Sequence, residues 1–449
     1  IFEWLNMKSY LDWSDYKDAG MGDAYADIPK RGGDFAKAVA VCINSRQCET
    51  LARGVMCPSF RLDQDPNLST GGRVRLLKAA LNGELGNDGL FTPELGEAMD
   101  LCVSCKGCQR ECENNVDMSR IKVEYLAQLN ARKGLSLRAR LFSELPELLA
   151  KQHWLIRLTA IRNRHPWIAN LAERLLGISR HSPLPEPVYT ARQTTLKEIE
   201  GGQPVVLFAD TFCNHYAPDI LTAAVEVLQA VGCQVTLIGA RDGEERYCCG
   251  RTYLSQGRIE EARQQAEQLL QKLAPYAESG MPLIGLEPSC LLTLRDEYRA
   301  LGLGEMADLV AAKAVLFEEF LAKGVKGGKL NLPWSERAIA SQQPVVVHGH
   351  CHQKAVGAMK SMRKVLKQIP GISFEMVDAS CCGMAGSFGL EAEHYETSKA
   401  MAEQALLPAL NARPEALIVA NGFSCRHQIK AQADRPALHL AQLIRLRMG

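Results

Sequence analysis

The chain has no excess of charge of either sign: Lys+Arg 52 against Asp+Glu 51 leave a formal +1. That balance argues against a protein that coats nucleic acid with a basic surface. No stretch approaches 18 uninterrupted apolar residues, so no membrane-spanning helix is expected. The first residues, Ile1 to Tyr16, mix Glu, Asp, Lys and Trp and lack the basic-then-apolar order of an export signal. The expectation is a soluble, unexported, cytoplasmic chain. A start at Ile1 rather than Met reads as a chain trimmed or cut from a longer one. Nucleotide loops are missing too. Gly302-Leu-Gly304-Glu-Met-Ala307 fits G-x-G-x-x-A but does not follow a strand, and Lys326-Gly327-Gly328-Lys329 lacks the P-loop spacing and its Ser/Thr. No FAD or NAD is expected on this chain.

What is present is an ordinary globular composition, 47% hydrophobic and 23% charged, over 449 residues, enough for about three domains. The anomaly is sixteen cysteines in tight groups. In a reducing compartment such grouping points to metal or redox chemistry rather than structural disulfides.

The pattern divides the chain. Residues 1–40 are polar and Gly-rich and read as an N-terminal extension with a loop at Arg31–Gly33. Residues 41–130 read as a small helical cysteine domain, with helices expected over Arg73–Leu81 and Met118–Asn130. Residues 131–200 form a basic, amphipathic helical linker. Its arginines and Trp154 and Trp167 suit either the protein's own core with solvated Arg outside or a membrane surface or acidic partner; Pro183, Pro185 and Pro187 stiffen its end. From residue 201, short strands alternate with helices. The runs Pro204–Ala209, Gln234–Ile238 and Pro282–Leu286 are followed by a second set, Pro344–Val347, Ser373–Val377 and Ala416–Ala420. The fold class is therefore α+β multidomain: an α-helical two-cluster ferredoxin-like domain, then a duplicated α/β cysteine-rich domain with halves 201–335 and 336–449.

Cys102, Cys105, Cys108 and Cys112 form C-x2-C-x2-C-x3-C, in which three thiolates hold one 4Fe-4S cluster and the fourth reaches a second. Zinc prefers separated knuckles. Upstream, Cys42, Cys48 and Cys57-Pro58 form a stretched companion. By the crossing rule Cys57 completes the Cys102, Cys105 and Cys108 cluster, while Cys112 joins Cys42 and Cys48 in a second cluster whose fourth ligand is unknown.

In the duplicated region Cys213, Cys248-Cys249-Gly250 and Cys290 follow the first three strands, and Cys351, Cys381-Cys382-Gly383 and Cys425 follow the second three. Ligands of open α/β sheets bind beyond the carboxyl ends of strands, so each set of four thiols suits a further iron–sulfur cluster. Cys233 belongs to neither set and reads as a buried small hydrophobe. His348, His350 and His352 surround Cys351, with His215 and His427 beside Cys213 and Cys425. Histidine in such places is a metal ligand, a proton shuttle or a donor to cluster sulfur; His350 and His352 are the candidate catalytic groups.

The phrases Gly54-Val-Met-Cys57-Pro-Ser-Phe-Arg61, Cys248-Cys-Gly-Arg251, Glu287-Pro-Ser-Cys290, His348-Gly-His-Cys351-His-Gln-Lys354, Cys381-Cys-Gly-Met-Ala-Gly-Ser-Phe-Gly389 and Asn421-Gly-Phe-Ser-Cys425-Arg-His-Gln428 carry a resemblance. From about Val41 onward the chain is similar to the carboxy-terminal half of FAD-linked D-lactate and D-2-hydroxyglutarate dehydrogenases. It also resembles the iron–sulfur subunits of anaerobic glycerol-3-phosphate dehydrogenase and of glycolate and lactate oxidases, and the cysteine-rich subunit of heterodisulfide reductase. That resemblance implies an electron-transfer module serving an FAD-bearing dehydrogenase on another subunit or domain, with a quinone or other acceptor. It also implies departures: Glu287 and Gly422 stand where the heterodisulfide reductase domain has an earlier Cys, Glu113 replaces a Pro, and the FAD domains are absent. The alternatives are a heterodisulfide-reductase-like catalytic subunit reducing a disulfide or quinone, and a non-catalytic redox sensor.

Overall fold

The computed structural model describes residues 7–448 except 22–26, 52–53, 87, 152, 189–194, 240–246, 327–330 and 341. Gly327, Gly328 and Lys329 of the near-P-loop, and the side chain of Trp154, lie outside the described residues.

Six strands lie where their apolar runs are. They are β1 (Gln203–Phe208), β2 (Cys233–Ile238), β3 (Leu283–Gly285), β5 (Gln343–Val347), β6 (Ile372–Met376) and β7 (Leu417–Val419); β4 (Ala314–Leu316) is an addition the sequence did not announce. They build two all-parallel sheets, ordered β2-β1-β3-β4 and β6-β5-β7. Helices cross over between strands, and so both faces of each sheet are covered and the central strands are apolar and buried beyond their first two residues. One shared core joins the sheets: Val205, Leu207 and Ile284 of the first half pack in the same cluster as Val345, Val347 and Val419 of the second. The two halves are thus one packed body with a repeated internal plan.

The expected helices of the cysteine domain run Thr70–Asn82 and Met118–Lys133, each started by a side-chain cap, Ser69 on Gly72 N and Asp117 on Arg120 N. The polar, Gly-rich N-terminal extension carries a helix of its own. Gly33–Ala40 is a helix burying Phe35, Ala36, Ala38 and Val39, and the buried Glu124 carboxylate accepts from the backbone N–H groups of Tyr10 and Leu11 and from Trp13 Nε1. The basic segment forms helices over Leu137–Ser143, Leu145–Lys151, His153–Arg164 and Pro166–Leu176. These touch both halves, through Tyr253 Oη to Glu147 Oε1 (2.5 Å) and Arg138 to Glu393.

Candidate metal centres

Four thiols of the helical domain, Cys57, Cys102, Cys105 and Cys108, line one pocket, walled also by Met56, Val103, Thr70 and Met118. The loop carrying them is tightly wound. Ser104 and Lys106 adopt left-handed backbone (φ 47° and 60°), as does Cys57 (φ 53°), conformations that cost energy in residues with a Cβ and that gather at functional loops. The Thr70 N–H donates to Cys57 Sγ at 3.0 Å. Burial pushes the Cys57 thiol up to about 11 and those of Cys105 and Cys108 higher. Such thiols are poor nucleophiles, and a bound cation is what draws off their protons. An apolar cradle of four sulfurs therefore fits a 4Fe-4S cluster.

Cys42, Cys48 and Cys112 form a second group, close enough that each of the other two thiols acts electrostatically on Cys42. Gly71 N donates to Cys48 Sγ (3.1 Å). Cys48 is also a near neighbour of Cys57, which sets the two groups side by side.

In the first cysteine-rich half the thiols of Cys248, Cys249 and Cys290 are in hydrogen-bonding succession, each on a loop or helix start beyond a strand end. Cys213 is buried on the helix Thr211–His215, where burial and then Asp210 raise its thiol. In the second half the succession runs Cys351–Cys381–Cys382–Cys425. Gly250 and Gly383 close the Cys pairs at φ 78° and 90°, and they lie against the helices Ile259–Glu278 and Tyr395–Glu403. A Cβ on Gly250 would sit 2.8 Å from Ala262 O, and one on Gly383 would overlap Ser398 O. Both glycine N–H groups turn back to the first sulfur of the pair, at 3.4 and 3.3 Å. Cys233 is fully buried in the core between the sheets, apart from either set.

The helical domain and the second half meet at the sulfurs. Cys105 packs in one cluster with Cys381, Cys382, Cys425 and, at its edge, Cys351. Ser380 Oγ donates to Val55 O (2.8 Å) and His352 Nε2 donates to Ser104 O (3.0 Å), so residues adjoining Cys381, Cys351 and Cys105 are bonded directly. Towards the first half the tie is ionic: the buried Lys106 ammonium meets Asp296 (2.5 Å) and Glu297 (2.8 Å), and Arg251 also pairs with Glu297.

His348, His350 and His352 are buried and held neutral. Burial pushes His348 and His352 well down and His350 to about 4. His350 Nδ1 accepts from His352 N (3.1 Å), which leaves its proton on Nε2. His427 Nε2 donates to Pro183 O (2.9 Å). Lys354 lies beside all four second-half cysteines, and its ammonium, lowered by burial, donates to Ala379 O.

The two departures from a five-cysteine site have structural reasons. Glu287 caps its helix through Ser289 N and Ser289 Oγ, and its other oxygen accepts from Phe423 N (2.7 Å), joining the two halves. At Gly422 a Cβ would overlap the His350 ring. Sequence reading quoted Arg251 without a role and missed Lys106, Ser380 and Glu318, whose partners are distant in the chain; Glu318, raised by burial to about 7, binds Gln353 and Asn421 of the opposite half.

A 4Fe-4S dicluster domain matches residues 38–116 and a cysteine-rich domain matches twice, over 210–295 and 345–430. The chain is 24% identical over 442 residues to the D-2-hydroxyglutarate dehydrogenase of Escherichia coli K12, covering 88% of this chain but 42% of that protein. It is 25% identical over 293 residues to one subunit of the anaerobic glycerol-3-phosphate dehydrogenase of the same organism, covering 62% of this chain and 69% of that subunit. It is 24% identical over 374 residues to one subunit of the dihydromethanophenazine:CoB–CoM heterodisulfide reductase of Methanosarcina barkeri, covering 80% of this chain and 78% of that subunit. The chain thus spans less than half the length of the D-2-hydroxyglutarate dehydrogenase it matches.

Proposed function

Since the chain is an iron–sulfur protein that joins a 4Fe-4S dicluster domain to two cysteine-rich domains, we propose that it is the electron-transfer module of a flavoprotein 2-hydroxy acid dehydrogenase. The substrate class is that of D-lactate, glycolate or D-2-hydroxyglutarate; FAD sits on a partner subunit or domain, and a quinone or other acceptor takes the electrons. In this reading Cys57, Cys102, Cys105 and Cys108 hold one cluster, and Cys42, Cys48 and Cys112 hold the second with one further ligand. Cys213, Cys248, Cys249 and Cys290, and Cys351, Cys381, Cys382 and Cys425, hold the metal of the two halves. Bound clusters supply reversible one-electron chemistry. The chain's own residues bring the sulfur sets together, bury them and direct N–H groups at the sulfurs, which tunes potential.

The observation that carries the reading is the packing of Cys105 into the same core as Cys381, Cys382 and Cys425. A route from the dicluster domain to the second half then needs no solvent crossing. Disulfide reduction at a five-thiolate site is disfavoured by the His350 ring against Gly422 and by the bonds that engage Glu287. The test is Cys105→Ser in the full chain, purified without oxygen. Iron is expected to fall by about four per chain, and electron delivery from a chemical reductant to a quinone analogue to fall at least tenfold. Unchanged iron and delivery would sink the reading, as would turnover of disulfides by the isolated chain.

A second reading concerns location. No helix among the described residues is long and apolar enough to cross a membrane. Trp167, Leu171 and Leu175 share one exposed face of the helix Pro166–Leu176, next to exposed Leu158 and Ile161, with Arg157, Arg164 and Arg174 exposed around them. Apolar side chains rimmed by arginine suit an anionic lipid surface. Co-sedimentation with phosphatidylglycerol vesicles should exceed that with phosphatidylcholine and fall several-fold in Trp167→Ala/Leu171→Ala. Equal binding to both vesicles removes this reading.

A further inference from the structure

We propose that His348 is a ligand of the metal centre in the second cysteine-rich half, sharing one metal atom with Cys382 and Cys425. An imidazole nitrogen of His348 and the Sγ atoms of Cys382 and Cys425 all lie within 4.8 Å of one another, and all three residues are buried. That upper bound admits the spacing of one coordination sphere. Bonds of about 2.3 Å to sulfur and about 2.0 Å to imidazole nitrogen, at tetrahedral angles, set donor atoms roughly 3.5–3.8 Å apart.

His348 follows β5 directly, and its backbone N donates to Val419 O (2.8 Å) at the end of β7, so the sheet fixes where the ring is rooted. Its Nδ1 is buried with no hydrogen-bond partner among the described residues. A buried ring nitrogen without a partner is unfavourable, and coordination of a thiophilic metal is a chemistry that satisfies it.

The first half supplies an independent observation. Asp210 stands three residues before Cys213 just as His348 stands three before Cys351. It too is buried, and one of its side-chain atoms, Oδ2, also lacks a donor among the described residues. Asp210 also caps the helix Thr211–His215, its Oδ1 accepting from Phe212 N and Cys213 N, so the comparison with His348 rests on Oδ2 alone.

The inference rests on the reading that second-half sulfurs hold metal, and adds a nitrogen to their ligand set. Imidazole joins thiolate in iron–sulfur centres and at zinc alike, and the experiment separates the two. The full chain and its His348→Ala and His348→Cys variants are purified without oxygen and assayed for iron, zinc and acid-labile sulfide. Pulsed EPR of the reduced protein then reads nitrogen hyperfine coupling, or X-ray absorption reads the zinc shell.

The wild type should show a directly bound nitrogen that both variants lose. His348→Ala should lose the metal of this half and His348→Cys should keep it, with dicluster iron, about eight per chain, unchanged throughout. His348→Cys keeps the test decisive where His348→Ala fails to fold. A loaded wild type with no coupled nitrogen, or a His348→Ala variant with unchanged metal and spectrum, overturns this proposal alone. A wild type with no metal beyond the dicluster domain overturns the parent reading along with it.

Discussion

The two cysteine-rich halves share one backbone plan and differ in what surrounds the sulfurs. Each places its first cysteine at a helix start after a central strand, its Cys pair before a left-handed glycine, and its last cysteine on a helix after the third strand. Around the first set stand two buried carboxylates, Asp210 and Glu287; around the second stand His348, His350 and the Lys354 ammonium. The first half is tied to the dicluster domain by Lys106 and its two acids, the second by hydrogen bonds from residues adjoining the cysteines themselves. The halves share a frame, and differences at a few positions give them different charge around the sulfurs and different ties to the dicluster domain.

The largest test of that comparison is steric. Ala at Gly383 must accept φ 90° and displace Ser398 O, whereas Ala at Gly250 accepts φ 78° with Ala262 O at 2.8 Å. Gly383→Ala should destabilise by about 3 kcal/mol or more and Gly250→Ala by about 1–2 kcal/mol, read from denaturant midpoints of the anaerobic chain. Equal losses would show that the two turns are held alike.

How much of this was legible beforehand follows from what each feature depends on. The cysteine groups and six strands are written locally, in spacings and in apolar runs such as Val205–Phe208. β4 is three residues between helices and has no period to read. The helix Gly33–Ala40 owes its buried face to packing against the helix Thr70–Asn82, so its own Gly-flanked stretch carries little signal. Lys106 with Asp296 and Ser380 with Val55 pair across roughly 190 and 325 residues, beyond any local pattern. The histidines were visible as a triplet, but that His352 binds Ser104 O while His348 Nδ1 has no partner among the described residues is a property of the folded chain.

A smaller effect separates the two ties by pH. His394 bridges the second half to Asp100 of the dicluster domain (2.8 Å) and to Glu391 (2.9 Å), with Glu393 and Arg138 beside them and the Phe388 ring stacked on it. Burial works to lower its pKa, but the hydrogen bonds to Asp100 and Glu391 prevail and raise it to about 9. A raised folded-state value means that the stabilisation is complete below the ordinary histidine range, near 6.5, and is lost as pH rises through about 9. Because Asp100 is largely exposed, about 1–2 kcal/mol is expected rather than the full shift. The urea midpoint should fall between about pH 6.5 and 9.5 in the wild type and stay flatter in His394→Gln. The Lys106 tie, whose ammonium is held up by Glu297 and Asp296 against its burial, should not contribute to that slope. A slope equally steep in His394→Gln would assign the pH dependence elsewhere.

The smallest effect tests whether the contact at the sulfurs is more than packing. Ser380→Ala removes one hydrogen bond to Val55 O next to Cys381 and should cost about 1 kcal/mol. Its informative readout is the rate at which electrons placed on the dicluster domain reach an acceptor. Val55 O also faces Cys105 Sγ (3.7 Å), so loosening this carbonyl changes the contact between two sulfur sets while leaving every cysteine in place. A several-fold slowing is expected for Ser380→Ala, and none for Arg251→Lys, which perturbs the tie to the first half instead. If Arg251→Lys slows delivery and Ser380→Ala does not, the first half is the one in electronic contact with the dicluster domain, and the roles drawn from the comparison are exchanged.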